Sequence, residues 1–200
     1  MLNYSWLKYE VKNIGYNWRT INRGEKMSTI YIRKAMKDDL RSIMSIINHA
    51  KQLLKADGSK QWQNGNPNEQ TILDDIEKGY CYLLIVDGQI GGTSALMTEP
   101  DPNYEVIFDG SWKNAGTSYA TIHRIAISNH FRGMHLANYF FSNLISLAYN
   151  KGFRSLRVDT HEKNLRTQGL VQKFGFEYRG RIFVDSSPDG ERKAYELQLV

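Results

Sequence analysis

A helix-length apolar stretch between two β-rich runs constrains this chain more than any other feature. From about Met134 to Lys151, Leu136, Phe140, Leu144 and Leu147 recur at helical spacing, with Ala137, Phe141, Ile145 and Ala148 beside them. So wide an apolar face belongs to a well-buried helix. SYATIHRIAI (118–127) precedes it and FRSLRVDT (153–160) follows it, and both read as strands. A strand, a helix and a strand in that order require a partly parallel sheet. Elsewhere GYCYLLIVDGQIGGTSALMTE puts two β-rich runs on either side of Asp87-Gly88, which demands an antiparallel hairpin.

The remaining elements follow from similar local rules. Residues 30–34 read as a strand, and Asp38-Asp39 mark a helix start ahead of Leu40, Ile43, Met44, Ile47 and Leu54. A polar loop over 56–68 precedes a short helix near 69–78, closed by Gly79. Residues 99–118 form an insertion mixing turn formers and aromatics. Asp159-Thr160-His161-Glu162 reads as a capping box that opens a helix over 162–174. Strands over 176–184 and 191–200 flank the turn Ser187-Pro188-Asp189-Gly190. The class is α/β in the α+β sense: a central mixed β-sheet of about seven strands flanked by helices on both faces.

The N-terminal 26 residues have neither a helical nor a strand period, and no apolar core of a secretory signal. They read as a disordered leader outside the domain, which spans 27–200. Arg23-Gly24-Glu25 translates back to a purine-rich stretch just ahead of a start codon at Met27, the pattern of a bacterial ribosome-binding site. Met27 is therefore the expected true start, against the rival reading of a genuine extra arm; N-terminal sequencing of the native protein decides between them.

Charge is informative only when located. The chain carries a net +5. Of this, +3 belongs to residues 1–26, where Lys8, Lys12, Arg19, Arg23 and Lys26 face Glu10 and Glu25; 21 basic and 19 acidic residues remain after that. No basic stripe is left in the domain, so nucleic acid is not an expected partner. No apolar run reaches the roughly 18 residues of a membrane span, so a membrane is not expected either. The single cysteine, Cys81, lies within a strand and suits a buried structural thiol better than a nucleophile; it points to a reducing, cytoplasmic setting. No His, Cys and Asp cluster has metal-ligand spacing, so no metal is expected.

HRIAISNHFRGMHLA (123–137) draws the chemistry. A buried strand runs through a basic, glycine-containing loop into the long helix. Free N–H groups and the positive dipole end of a helix N-terminus, with Arg132 beside them, suit a diphosphate. The same residues also describe an ordinary strand-to-helix connection. Neither a P-loop nor a GxGxxG after a first strand is present.

IAI-(x4)-RGMHLA resembles motif A of the GNAT superfamily of acyl-CoA-dependent N-acetyltransferases. Asn164 with Val171-Gln172-Lys173-Phe174-Gly175-Phe176 is similar to that family's N-x-x-A-x-x-x-Y-x-K-x-G-F segment. The resemblance spans about 29–199 in element order. It implies a GNAT-like fold, with acetyl-CoA as acyl-donor cosubstrate. Ile125, Ala126 and Ile127 would then pair by backbone with the pantetheine arm, Arg132, Gly133, Met134, His135, Leu136 and Ala137 would wrap the pyrophosphate, and Asn164 would meet the pantetheine or the adenylate.

Two positions depart from the family pattern. His135 stands at the middle glycine, and serves there only with a negative φ and an outward side chain. Val171 stands at the tyrosine that protonates the leaving thiolate; Tyr178, Tyr149 and His161 are unranked substitutes, and solvent is another.

Alternation along the fourth strand puts Thr121, His123, Ile125 and Ile127 on one face. His123 would then lie by the thioester as catalytic base or proton relay, against a buried structural histidine as the alternative. Its place also resembles that of a histidine in the arylalkylamine N-acetyltransferases. A backbone N–H near Ile125, at a bulge, would stabilise the oxyanion. The acceptor wall would draw on Trp62, Tyr104, Asp109, Trp112 and Tyr119, with Glu105 or Asp109 holding a cationic amine and simple packing as the rival for each aromatic.

The expected activity is acetyl transfer from acetyl-CoA to a primary amine, whether small amine, amino acid or peptide end, by direct attack in a ternary complex. The rivals are a non-catalytic acyl-CoA-binding sensor and an interaction protein using its aromatic insertion. A homodimer is left open.

Overall fold

Asp87 and Gly88 both have positive φ, 48° and 81°, which gives a two-residue turn of the hand that a hairpin requires. It joins β2 (Cys81–Val86) to β3 (Gln89–Met97). The computed structural model describes residues 28–187 and 189–200; the leader, Met27 and Pro188 lie outside them.

In chain order the elements are β1 (Ile30–Lys34), α1 (Leu40–Ala56), α2 (Glu69–Glu77), β2, β3, β4 (Ala120–Ile127), α3 (Leu136–Asn150), β5 (Ser155–Thr160), α4 (Leu165–Lys173), β6 (Glu177–Phe183) and β7 (Glu191–Gln198). Seven strands form one mixed sheet in the order β1-β2-β3-β4-β5-β7-β6. Every neighbouring pair is antiparallel except β4 with β5.

Each face has its own core. On one, Phe140, Phe141, Leu144 and Ala148 of α3 and Val171 of α4 pack on Leu84, Ile122, Leu156 and Tyr195 of the sheet. On the other, Ile43, Ile46 and Ile47 of α1 and Ile72 of α2 pack on Leu83 and Ile85. At about 1.5–3 kcal/mol for each large side chain buried, these two layers hold the helices down. The insertion supplies a third patch: Tyr104 and Trp112 lie buried against Ile182 and Ala194, covering the part of the sheet beyond the reach of α1 and α2. Arg157 is sandwiched there between the rings of Trp112 and Tyr119, 4.0 and 3.8 Å from their centroids.

Two sequence expectations need correction. The capping box at 159–162 does not form. Asp159 and Thr160 stay in β5, taken up by the ladder to Ala194 and Lys193 of β7. The helix starts later, with Asn164 as its N-cap, accepting from the Thr167 N–H at 3.2 Å. The side-chain alternation of β4 also breaks. Ile122, Ile125 and Ile127 face the α3 side, while Ala126 faces α1. Arg124, at φ 55°, is the residue at which the register to β3 shifts. His123 and Ile125 therefore do not share a face.

Candidate functional site

Among the described residues β4 and β5 are the only parallel neighbours, and they pair only at Ala120↔Leu156 and Thr121↔Arg157. Past Thr121 the strands diverge, and the β5-facing edge of β4 loses its partner. The unpaired stretch opens into a cavity of about 1320 Å³. An unpaired strand edge inside a cleft offers alternating N–H and C=O groups to an extended, amide-containing ligand. Ile125, Ala126 and Ile127 line this stretch.

At its far end the chain reaches α3. The N–H groups of Gly133, His135, Leu136 and Ala137 donate to no protein acceptor among the described residues. They stand at the positive end of the α3 dipole, and Arg132 lines the cavity beside them. Such a cradle fits a diphosphate. His135 has φ 55° and ψ 23°, against the expected negative φ. The helix begins one residue later and the Asn138 N–H returns to the His135 carbonyl at 3.1 Å, so the backbone keeps the left-handed turn that a glycine adopts freely. Met134 points outward, half-exposed, and does not line the cavity.

Deeper in the cleft, His123 sits between two carboxylates. Its Nε2 is 3.1 Å from Asp101 Oδ2, and its Nδ1 is 3.6 Å from Asp159 Oδ1. Burial pushes the Asp101 carboxyl up. Hydrogen bonds from His123 and from the Asn103 backbone outweigh burial and hold it below the ordinary value. An ionised carboxylate only accepts, so Nε2 carries a proton toward Asp101; in the neutral imidazole the lone pair is then on Nδ1. Nδ1 is then available to take a proton, and Asp159 is placed to stabilise the resulting imidazolium. Asp159 is fixed in turn by the Tyr104 hydroxyl at 2.7 Å. Tyr104 is fully enclosed; burial, then the Asp159 charge, push its phenol far up, so it remains a donor.

The bulge beside His123 is anchored from α2. Arg124 makes a bidentate pair with Asp75, Nε to Oδ2 at 2.8 Å and Nη2 to Oδ1 at 2.7 Å. Above the cleft, the α1–α2 loop is tied to the start of α4 and to the β6–β7 turn. Gln61 Oε1 accepts from Asn164 Nδ2 at 3.0 Å, and Lys60 reaches Asp189 at 3.0 Å.

The residues expected at the site are thus divided. His123, Ile125, Ala126, Ile127, Arg132, Gly133, His135, Leu136, Ala137, Asn164 and Trp62 line one cavity. Both polar groups of Asn164 are committed, to Thr167 and Gln61. Tyr104, Trp112 and Tyr119 are support rather than wall, packed together in the insertion. Asp109 pairs with Arg181 away from the cavity. Tyr178, Tyr149 and His161 also stand outside it, and among the described residues no tyrosine lines it. Val171, in the tyrosine slot, is fully buried in the α3 core. Sequence reasoning missed Asp101 and Asp159, the first read as part of a turn-rich insertion and the second as a helix cap. Cys81 is buried, its thiol pushed up to about 11 by desolvation, and is no nucleophile. Among the described residues no three His, Cys, Asp or Glu gather as a metal site, and no helix is long and apolar enough to cross a membrane.

The fold has counterparts among known proteins. The model of the acetyltransferase (GNAT) family matches residues 47–176. The crystal structure of a GNAT-family acetyltransferase from Streptococcus agalactiae is 36% identical, with a TM-score of 0.77 over 86% of this chain and 96% of that one. A GNAT-family acetyltransferase from Listeria monocytogenes, 21% identical, shares the fold at a TM-score of 0.66 over 85% and 95% of the two chains. YncA from Salmonella typhimurium, solved with its cofactor acetyl-CoA, is 18% identical, with a TM-score of 0.61 over 86% and 94%. No protein of curated function matches the chain.

Proposed function

Because the chain belongs to the GNAT acetyltransferase family, and that family's activity depends on acetyl-CoA, we propose that it moves an acetyl group to a primary amine by direct attack in a ternary complex in the cytoplasm. The observation that carries the choice of acceptor is the Asp101–His123–Asp159 arrangement at the point where β4 and β5 part.

An alkylammonium, with a pKa of about 10.4, must lose a proton before it can attack. Asp159 and Asp101 attract the cation, and His123 Nδ1 receives the proton. The amine lone pair then forms the N–C bond to the acyl carbon. The C–S bond breaks, and its electron pair leaves on the thiolate. The second nitrogen proton is lost to water. With no tyrosine in the cavity, solvent protonates the thiolate, whose thiol pKa is near 8.5. The balance is ammonium plus acetyl-CoA giving amide, free thiol and one proton. The N–H groups released by the bulge at Arg124 are the candidate donors to the negative charge that develops on the carbonyl oxygen.

On this reading the diphosphate of the coenzyme rests on Arg132 and the N–H groups of Gly133, His135, Leu136 and Ala137. The pantetheine runs along Ile125–Ile127.

Acetyl-CoA should raise the melting temperature where equal NAD does not. A panel of amines with acetyl-CoA should then release free thiol, and His123→Ala should cut that rate and shift its pH profile. The second reading, a sensor, is favoured by Val171 at the tyrosine position. Stabilisation by acetyl-CoA with no thiol release from any amine would establish the sensor instead.

A further inference from the structure

One buried charge in the cleft makes no direct ion pair among the described residues. Arg192, at the start of β7, is 8% exposed and lines the cavity. Its Nη1 donates to the carbonyls of Asp189 and Glu191 at 2.6 and 2.7 Å. Its Nε and Nη2 have no hydrogen-bond partner among the described residues, and no carboxylate among them lies at ion-pair distance. The nearby acids are committed elsewhere: Asp159 accepts from Tyr104, Asp185 from Ser187, and Asp189 pairs with Lys60. These three carboxylates still steady the charge through space, but none touches it, and a buried guanidinium without a direct anionic partner is costly to keep unless a ligand supplies one.

The strand pairing tells which ligand it faces. Ala194 is directly opposite Asp159, and Arg192 lies two residues along the same strand. Side chains two apart share a face, so Arg192 and Asp159 are diagonal neighbours on the side of the insertion. Lys193 and Tyr195 point to the other side, where both reach Gln168 of α4. The diphosphate cradle belongs to that other side, at α3. The anion for Arg192 is therefore carried by the acceptor and not by the coenzyme.

We propose that the acceptor carries a carboxylate as well as its amine. Arg192 takes the carboxylate through its fork of Nε and Nη2, and Asp159 with His123 takes the amine. The enzyme is then an amino-acid acetyltransferase. The inference rests on the amine-acetylation reading above and narrows it.

Each of the twenty amino acids is assayed for thiol release beside the amine left when its carboxyl group is removed. For at least one pair, kcat/KM should be larger for the acid by about 30-fold or more, the worth of a charged bidentate contact. Arg192 also holds two turn carbonyls, so Arg192→Lys, which keeps the charge, is measured beside Arg192→Gln, with melting temperatures for both. Arg192→Gln should raise KM for the acid and leave the decarboxylated amine within about twofold, erasing the preference, while Arg192→Lys retains part of it. Amines used as well as their parent acids would overturn the carboxylate assignment and leave amine acetylation standing. Release of thiol from neither class, nor from any other amine or peptide of the panel, would overturn amine acetylation itself.

Discussion

Asp75→Ala tests whether α2 holds β4 in shape. The Asp75 and Arg124 side chains are 9% and 19% exposed, and they meet through two hydrogen bonds under 3 Å. Breaking a buried pair by removing one partner costs about 3–5 kcal/mol. The partial exposure of Arg124 points to the lower end, about 3 kcal/mol. For a chain of this size that lowers the melting temperature by roughly 6–12 °C. Arg124 also sits at φ 55°, a conformation costing a side chain about 1–2 kcal/mol, and without Asp75 the bulge has a reason to relax. Relaxation moves the adjacent N–H groups and His123, so kcat should fall by up to about 100-fold with little change in KM for acetyl-CoA. Combining Asp75→Ala with Arg124→Gly removes the stranded charge while the glycine tolerates the positive φ, and should recover part of the lost stability. Thermal melts and initial rates on the four proteins complete the cycle. A single Asp75→Ala variant melting within about 1 °C of the parent would refute the account of the pair as anchor.

Three other outcomes follow from the same geometry. Arg132→Glu should raise KM for acetyl-CoA at least about tenfold by repelling the diphosphate, while the saturated rate stays within about twofold. At position 135, with φ 55°, glycine should leave the melting temperature almost unchanged, since relieved strain offsets its extra unfolded-state entropy; a β-branched valine should cost about 1–2 kcal/mol, and equal melts would contradict that. The Asp101 carboxyl lies below its unfolded value, so its stabilisation is complete above about pH 4 and lost as pH falls through the folded value. Asp101→Asn should therefore be less stable than the parent in urea at pH 7, with the gap closing toward pH 3.

The elements that were legible in the sequence are those whose signals are local. Asp87-Gly88 carries the turn geometry in two residues, and the apolar face of α3 repeats over four turns. The start of α4 was misplaced because Asp159 and Thr160 answer to a strand that arrives some thirty residues later in the chain. Their hydrogen bonds go to β7, and a window around 159–162 holds no trace of that partner. The insertion misled for a related reason. Large aromatics in a polar loop either bind or pack, and Tyr104, Trp112 and Tyr119 pack because an uncovered patch of β6 and β7 lies beneath them.

At the candidate site the same limit separates backbone from side chains. The strand, loop and helix N-terminus at 123–137 were readable, since a helix start exposes its amides whatever surrounds it. The environment of His123 was not, because Asp101 and Asp159 come from two other segments of the chain. Nor was the left-handed backbone of Trp62, Arg124 and His135, which all line the cavity. Arg124 and His135 both hold a left-handed backbone at about 1–2 kcal/mol each, a state that lasts only where neighbours over-determine it. Asp75 does so for Arg124, and the first turn of α3 does so for His135. Arg124 stands where the register of β4 to β3 shifts, and His135 stands where α3 begins. Both lie where a strand or a helix departs from its regular course beside the cavity, and propensity reasoning, which expects unstrained residues, fails at those points for a physical reason.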